Sequence, residues 1–596
     1  LGYLPIEDHG IIGNLHTAAL VGTDGTIDWL CLPAFDSPSV FCSILDDEKG
    51  GHFSIAPTSY DHSQQLYLPD TNVLLTRFLS WEGVAEILDF MPVIEGNSGR
   101  HRLMRNVRVV RGSVTLEAEC RPAFDYARGG HRLSTVKNGA VFEASSLKLG
   151  LWSDTELREG ERGGVRTRFT LREGEEATFA FGEIQSGEGP DEVFDGRGFD
   201  DSLRDTIEYW RRWISKSAHH GRWREVINRS ALALKLMVYQ PTGAIVAAPT
   251  MSLPETIGGG RNYDYRYAWL RDSGFALYAL ISLGFEEEAG RFMSWLRQRC
   301  EECAGYLQPL YGIDGREKIE EQELDHLSGY RGSRPVRVGN AAYSQLQLDT
   351  YGAIMDAAYL YNKHGAPLDY DLWQNLRKIL RWLSENWQRP DEGMWEVRGG
   401  RQRFVSSRLM SWVALERAVR ISRQRGLPAG EGMWIEERDK IYVDIMDKGW
   451  KPQRKAFTQH YDTEALDASV LLMPLVKYVG PTDPRWLETM QRIREELTHD
   501  SLVDRYEVGE AADDGFDGEE GSFSMCSFWL IECLTQAGYL EEARLMLEKM
   551  FSYANHLGLY AEEIGRTGEA LGNFPQAFTH MALISAATKL DRALGT

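Results

Sequence analysis

Cysteine is scarce, with seven residues in a chain of 596, an odd number at irregular spacing. That excludes a disulfide-framed scaffold and points to a reducing compartment, with the cytoplasm as the expectation. The one close pair, Cys300 and Cys303 in RQRCEECAG, lacks the second half-site of a zinc cluster and reads as a helix end, so no metal is expected. Long apolar runs are missing. No stretch approaches the roughly 20 residues that cross a bilayer, and the opening LGYLPIEDHG is no signal peptide, although residues upstream of Leu1 are compatible with it. Positive charge is also in deficit: 66 Lys and Arg against 88 Asp and Glu leave a net charge of -22. Nucleic acid and anionic membrane are excluded as partners by repulsion, and a small neutral substrate fits better. The sequence carries no HExxH, no GxSxG and no paired-metal spacing, and its fourteen histidines are scattered, so no cofactor is called for. A homo-oligomer is neither demanded nor forbidden.

Aromatic rings, by contrast, are plentiful, at 11% of residues with seventeen Trp and twenty-five Tyr. Such rings line cores and also suit the faces of sugars. The length calls for two domains. Through residues 1–200 the apolar period is two, as in strands with one buried face. SVTLEAEC sets Val114, Leu116, Ala118 and Cys120 against Thr115, Glu117 and Glu119. GVRTRFTL and the run holding Ala177, Phe179 and Phe181 flank the turn REGEE and read as a hairpin. An antiparallel β-sandwich is expected there. At 201–222 the pattern turns helical, as a linker, and beyond it the period is near 3.6. Twelve segments with an apolar stripe follow, centred near 232, 276, 294, 352, 379, 414, 440, 471, 491, 530, 547 and 584. In the best of them Leu372, Leu376, Ile379, Leu380, Leu383 and Trp387 share one face. Six helical hairpins closed in a ring, an (α/α)6 barrel over 223–596, fit this count better than an α-solenoid, because no residue period recurs. Long loops of such a ring gather at one end and make a pocket.

Four loops could carry chemistry. In residues 258–277, WLRDS places Arg271 beside Asp272 at a helix start, where an ordinary cap is one reading. Tyr263, Tyr265, Tyr267 and Trp269 are too many rings for a plain cap, and a charged fork on an aromatic platform would hold sugar hydroxyls. The second loop, 324–349, carries Tyr330, Arg331, Arg334 and Arg337, either a phosphate-binding set or a solvated basic turn. The third holds Glu396 in GMWEVRGG, where Trp395 would desolvate the carboxyl and keep it a proton donor. The fourth holds adjacent Glu562 and Glu563, of which one is expected in the pocket and the other in solvent. A further acidic stretch, DDGFDGEEGSF at 513–523, fails as a calcium loop because Gly515 stands where an Asp or Asn is needed, and is read as a solvated rim. Two carboxylic acids on opposite sides of a pocket are the minimum for breaking a glycosidic bond.

At these loops the chain resembles glycoside hydrolase family 15, the glucoamylases, trehalases and related exo-acting α-glucosidases. EDHGIIGNLHTAALVGTDGTIDWLCLPAFDSPSVF and YLPDTNVLLTRF look like the start of bacterial and archaeal trehalase-like members. YRYAWLRDS, GYRGSRPVRVGNAA, DEGMWEVRGG, EGSFSMCSFW and LGNFPQAFTH follow in family order. The resemblance implies a β-sandwich, a helical linker and an (α/α)6 barrel, and an inverting mechanism that releases β-D-glucose, with α,α-trehalose favoured over maltooligosaccharides, starch or isomaltose-type substrates. Matched by position, Glu396 becomes the general acid and Glu562 the general base, although Ala561 and Glu563 replace the family's Ser and Gln. Trp269, Arg271 and Asp272 fall on residues that hold the terminal glucose, with Trp395 beside the acid. Tyr330, Arg334 and Arg337 fall in a loop that shapes the pocket. Inversion needs carboxyl groups roughly 6.5 to 9.5 Å apart. A sugar phosphorylase needs only the acid and is disfavoured by Glu562; a non-catalytic sugar-binding protein is disfavoured by both acids.

Overall fold

A computed structural model describes residues 2–93, 100–194, 196–303, 305–506, 515, 518 and 520–595. Its first part is an antiparallel sandwich built on one 20-residue strand, Arg102–Arg121. The first half of that strand pairs with Gly83–Phe90 and Glu176–Glu183, and its second half with His52–Pro57 and Val165–Arg172. Both layers therefore share a backbone, and Phe41, Phe53, Phe142, Phe179 and Phe181 interlock between them.

The alternation of Val114, Leu116, Ala118 and Cys120 is buried as its period requires. The expected hairpin is not formed. Val165–Arg172 and Glu176–Glu183 pair with different halves of the long strand, Leu171 opposite Val114 and Ala177 opposite Val107. A period of two reports which face is buried and is silent about which neighbour completes the ladder. A single turn, α1 (Phe124–Ala127), holds Asp125 and Tyr126 at positive φ beyond the long strand's end.

Helix α2 (Phe199–Ile214) leaves the sandwich, and its Trp213 stacks on Phe285 at 4.1 Å while its indole N–H donates to Glu288 at 2.6 Å. Helices then form at all twelve expected centres: α3 (Arg224–Leu236), α4 (Ser273–Ser282), α5 (Glu286–Glu302), α6 (Asp349–His364), α7 (Tyr370–Asn386), α8 (Val405–Arg425), α9 (Glu431–Asp444), α10 (Leu472–Leu475), α11 (Pro484–Glu496), α12 (Ser524–Ala537), α13 (Leu540–Phe551) and α14 (Ala577–Leu594). Only α10 is reduced to a turn, extended by a 3-10 segment over Ala468–Leu471.

Their burial separates two layers. Helices α8, α12 and α14 are buried nearly all round, whereas α7 buries one stripe from Leu372 to Leu383 and leaves its other face to solvent. All-round burial marks an inner helix and a single stripe an outer one. Even-numbered helices α4 to α14 form the inner ring of an (α/α)6 barrel and the odd-numbered ones wrap it. The chain enters α4, α12 and α14 from loops that contribute to one cavity.

Candidate active site

The cavity spans about 760 Å³ with the open solvent at its mouth included. Tyr265, Trp269, Arg271 and Asp272 enter it from the loop before α4, Trp395 and Glu396 from the loop after α7, and Glu562 from the loop before α14. Glu396 lines the cavity at φ 58°, a left-handed conformation that costs a non-glycine residue about 1 kcal/mol or more. Its Oε1 accepts two hydrogen bonds, from the Trp269 indole at 2.6 Å and from Arg271 Nη2 at 3.0 Å. No described residue bonds its Oε2, and the side chain keeps 20% of its exposure.

Trp395 does not do what its adjacency in the sequence suggests. Its indole donates to both oxygens of Asp467 at 3.0 Å. The tryptophan that touches the acid is Trp269, 127 residues away.

Arg271 gathers three carboxyls: Glu396, Asp349 at 3.8 Å and Asp272 at 3.9 Å. Burial pushes the Asp272 carboxyl up to about 7, against the pull of Arg271 and with the help of Glu396 and Asp349. Arg271 also donates to Gln347 at 3.0 Å, which fixes the plane of the guanidinium.

Glu562 is anchored in the same cavity in a matching way. Its Oε1 accepts from the Tyr265 hydroxyl at 2.6 Å and the Gln576 amide at 3.3 Å, and no described residue bonds Oε2. Gly572, at φ 73°, makes room for that oxygen, because a Cβ there would lie 2.6 Å from it. Tyr265 and Trp269 pack edge to face at 5.3 Å, so one aromatic pair from one loop supports both carboxyls.

Beneath Glu562 lies a buried charge cluster. Arg505 pairs with Glu520 at 2.5 Å and lies 3.8 Å from Glu255, while Arg261 reaches Glu520 at 3.0 Å. Burial first, then the charge of Glu255, pushes the Glu562 carboxyl well above its ordinary value; Tyr265 and Arg505 pull it back. Glu563 does not face solvent as expected. It is fully buried, accepts from the Gly521 N–H at 2.8 Å and stays outside the cavity, because successive side chains of this extended segment point to opposite sides.

Tyr330, Arg334 and Arg337 stand outside the cavity too. The Tyr330 hydroxyl donates to the Leu4 carbonyl at 2.9 Å, and Arg334 is exposed and bonds Ser328. Arg337 donates to the carbonyls of Gly260 and Asn262 and lies 5.6 Å over the Tyr263 ring, which itself lines the wall. Of the five acidic residues in the stretch 513–523, four lie outside the described residues; the fifth, Glu520, is buried. The cavity also includes Glu255, Gln345, Arg398, Arg505 and Gln576, which the sequence did not single out. Arg398 and Gln576 stand inside the quoted motifs DEGMWEVRGG and LGNFPQAFTH, a signal that was available; Glu255 and Arg505 carry none.

Two anchored carboxyls in one polar cavity, at the loop end of a helical barrel with an appended sandwich, define a glycosidase. Residues 221–588 match the model of glycosyl hydrolases family 15, and residues 3–155 that of the trehalase-like N-terminal region. The chain belongs to glycosyl hydrolase family 15. It is 40% identical to the trehalase of Mycobacterium tuberculosis over 99% of this chain and 90% of that one. With the trehalase of Thermoplasma acidophilum it shares 39% over 96% and 98%. A bacterial glucoamylase complexed with acarbose superposes with a TM-score of 0.76 over 100% of this chain and 94% of its own, at 13% identity, a likeness of fold.

Proposed function

We propose that the chain hydrolyses α,α-trehalose with inversion at the attacked carbon. The observation that carries this reading is the pair of carboxyls, each held through Oε1 with no bond to Oε2 among the described residues, joined by one aromatic support. Glu396 protonates the glycosidic oxygen as general acid, and Glu562 takes a proton from the water that attacks the anomeric carbon from the opposite face. Trp269, Arg271, Asp272 and Trp395 hold the terminal glucose. Desolvation raises the basicity of Glu562, which suits a group that must accept a proton from water. The relatives named trehalase, matched over nearly their whole length, support the choice of substrate.

All seven cysteines are free thiols, which fits a reducing compartment. No helix among the described residues is long and apolar enough to cross a membrane.

Trehalose joins two anomeric carbons, so inversion gives one β-glucose from the attacked ring and one α-glucose from the leaving ring. Proton NMR in the first minutes should show the two anomers in equal amounts; α-glucose alone would exclude inversion. The same assay on maltose, isomaltose and soluble starch should give slower release, and a preference for any of them would transfer the activity to a glucoamylase-type reaction.

A further inference from the structure

We propose that the far end of the helical barrel holds a second ligand site, shaped for a small organic anion with an apolar body. The inner helices run away from the active site. Met525, the second residue of α12, and Phe578, the second residue of α14, both line the catalytic cavity. Seven to eleven residues further along, Glu532 and Gln536 of α12 and Ser585 and Lys589 of α14 line another cavity, roughly 10 to 16 Å down the barrel axis at 1.5 Å per residue. It spans about 1180 Å³ with the open solvent at its mouth included, and its walls are mainly apolar, with Phe275, Tyr278, Leu360, Leu472 and Val476 among them.

A thin partition separates the two cavities. Phe275 of the axial cavity meets Phe578 of the catalytic one edge to face at 4.8 Å, and Trp529 stacks behind Phe275 at 5.9 Å.

The charge at the mouth selects the ligand. Arg417 is paired with Asp356, Arg420 with Glu416 and Lys589 with Glu532. Lys363 and Lys477 are exposed and make no ion pair among the described residues. These two ammonium groups border an apolar chamber on a chain of net charge -22. Burial, then the positive charges of Lys363 and Arg592, hold the His364 imidazole below its ordinary value, which agrees with a positive local field. Lys363 also suits the last turn of α6 for reasons of helix polarity. Lys477 lies beyond the end of α10 at φ 67°, so no such reason places it there. An apolar chamber with a cationic rim binds a carboxylate, sulfonate or phosphate ester whose organic part enters the chamber while its charge stays at the rim.

The probe is 8-anilinonaphthalene-1-sulfonate, followed by its fluorescence on the whole folded chain. We expect one saturable site per chain, weakened by salt. The uncharged N-phenyl-1-naphthylamine should bind at least tenfold more weakly. The double variant K363E/K477E, whose side chains are exposed and remote from the sugar, should lose at least tenfold in affinity while hydrolysing trehalose at the parent rate. Saturating glucose should leave the probe in place. Absence of saturable binding, equal affinity in the double variant, or displacement by glucose would each overturn the proposal. None of these readouts depends on which sugar the enzyme prefers.

Discussion

Glu396 and Glu562 are bonded alike and surrounded differently, and that difference sets separate predictions. Glu396 meets two N–H donors at Oε1 and keeps part of its exposure. Glu396→Gln preserves the shape and both anchoring contacts and removes the transferable proton. We expect turnover to fall by a factor on the order of 10² to 10⁴, with unchanged thermal unfolding; near-parent turnover would remove Glu396 from the acid role. Glu562 is buried, with Glu255 the foremost of the charges raising it. A base works only when ionised, so activity is lost as pH falls through its pKa, and a raised pKa places that loss at higher pH than an ordinary carboxyl would. Glu255→Gln removes a negative neighbour, lowers the Glu562 pKa and should carry the acidic limb of the kcat/KM profile to lower pH. An unmoved limb would show that Glu255 does not act on the base.

Among the elements, outer helix α7 shows how far local pattern reaches. Asp369 caps it by accepting from the Leu372 N–H at 2.8 Å, and Leu372, Leu376, Ile379, Leu380 and Leu383 are buried in one stripe. The stripe packs the outer layer and touches no part of the cavity. Leu380→Ala should therefore cost about 2 to 5 kcal/mol of stability, read by denaturant or thermal unfolding, and leave kcat near the parent value. A large fall in kcat at unchanged stability would tie this helix to the chemistry instead. The inner helices behave otherwise: buried all round, they have weak periodicity, and their position in the ring was legible from helix count and loop length more than from any stripe.

For the whole molecule, the sandwich acts as a clamp on the catalytic loop. Arg266, between Tyr265 and the rest of YAWLRD, is fully buried and pairs with Asp264 at 2.7 Å. It also donates to the Ser37 carbonyl at 2.8 Å and the Tyr126 hydroxyl at 2.9 Å, both in the sandwich. Trp29 of the sandwich donates to the Pro249 carbonyl at 2.8 Å in the barrel's approach to the same loop. The support of both carboxyls is thus pinned from outside the barrel. Arg266→Ala leaves Asp264 buried without its partner, a loss on the order of 3 to 5 kcal/mol. We expect lower thermal stability together with a fall in kcat of tenfold or more, although Arg266 touches no substrate. Parent-like kcat in a folded Arg266→Ala protein would show that the loop keeps its form without the clamp.

The sequence alone determined the period of each segment, and so the sandwich, the twelve helices and the loops from which chemistry comes, because period follows from which faces must leave water. Charged groups beside aromatic rings in long loops also marked Glu396, Arg271 and Asp272 as candidates, while Glu562 was preferred to Glu563 only through the family resemblance. Partnership was decided only by the tertiary structure. That Trp269 rather than Trp395 holds Glu396, that Glu563 is buried, that Val165–Arg172 and Glu176–Glu183 join different halves of one strand, and that Tyr330 bonds the Leu4 carbonyl, all depend on contacts between residues far apart in the chain. Such contacts are set by which elements the closed ring brings together, and a pattern with a period of two or 3.6 residues carries no information about them.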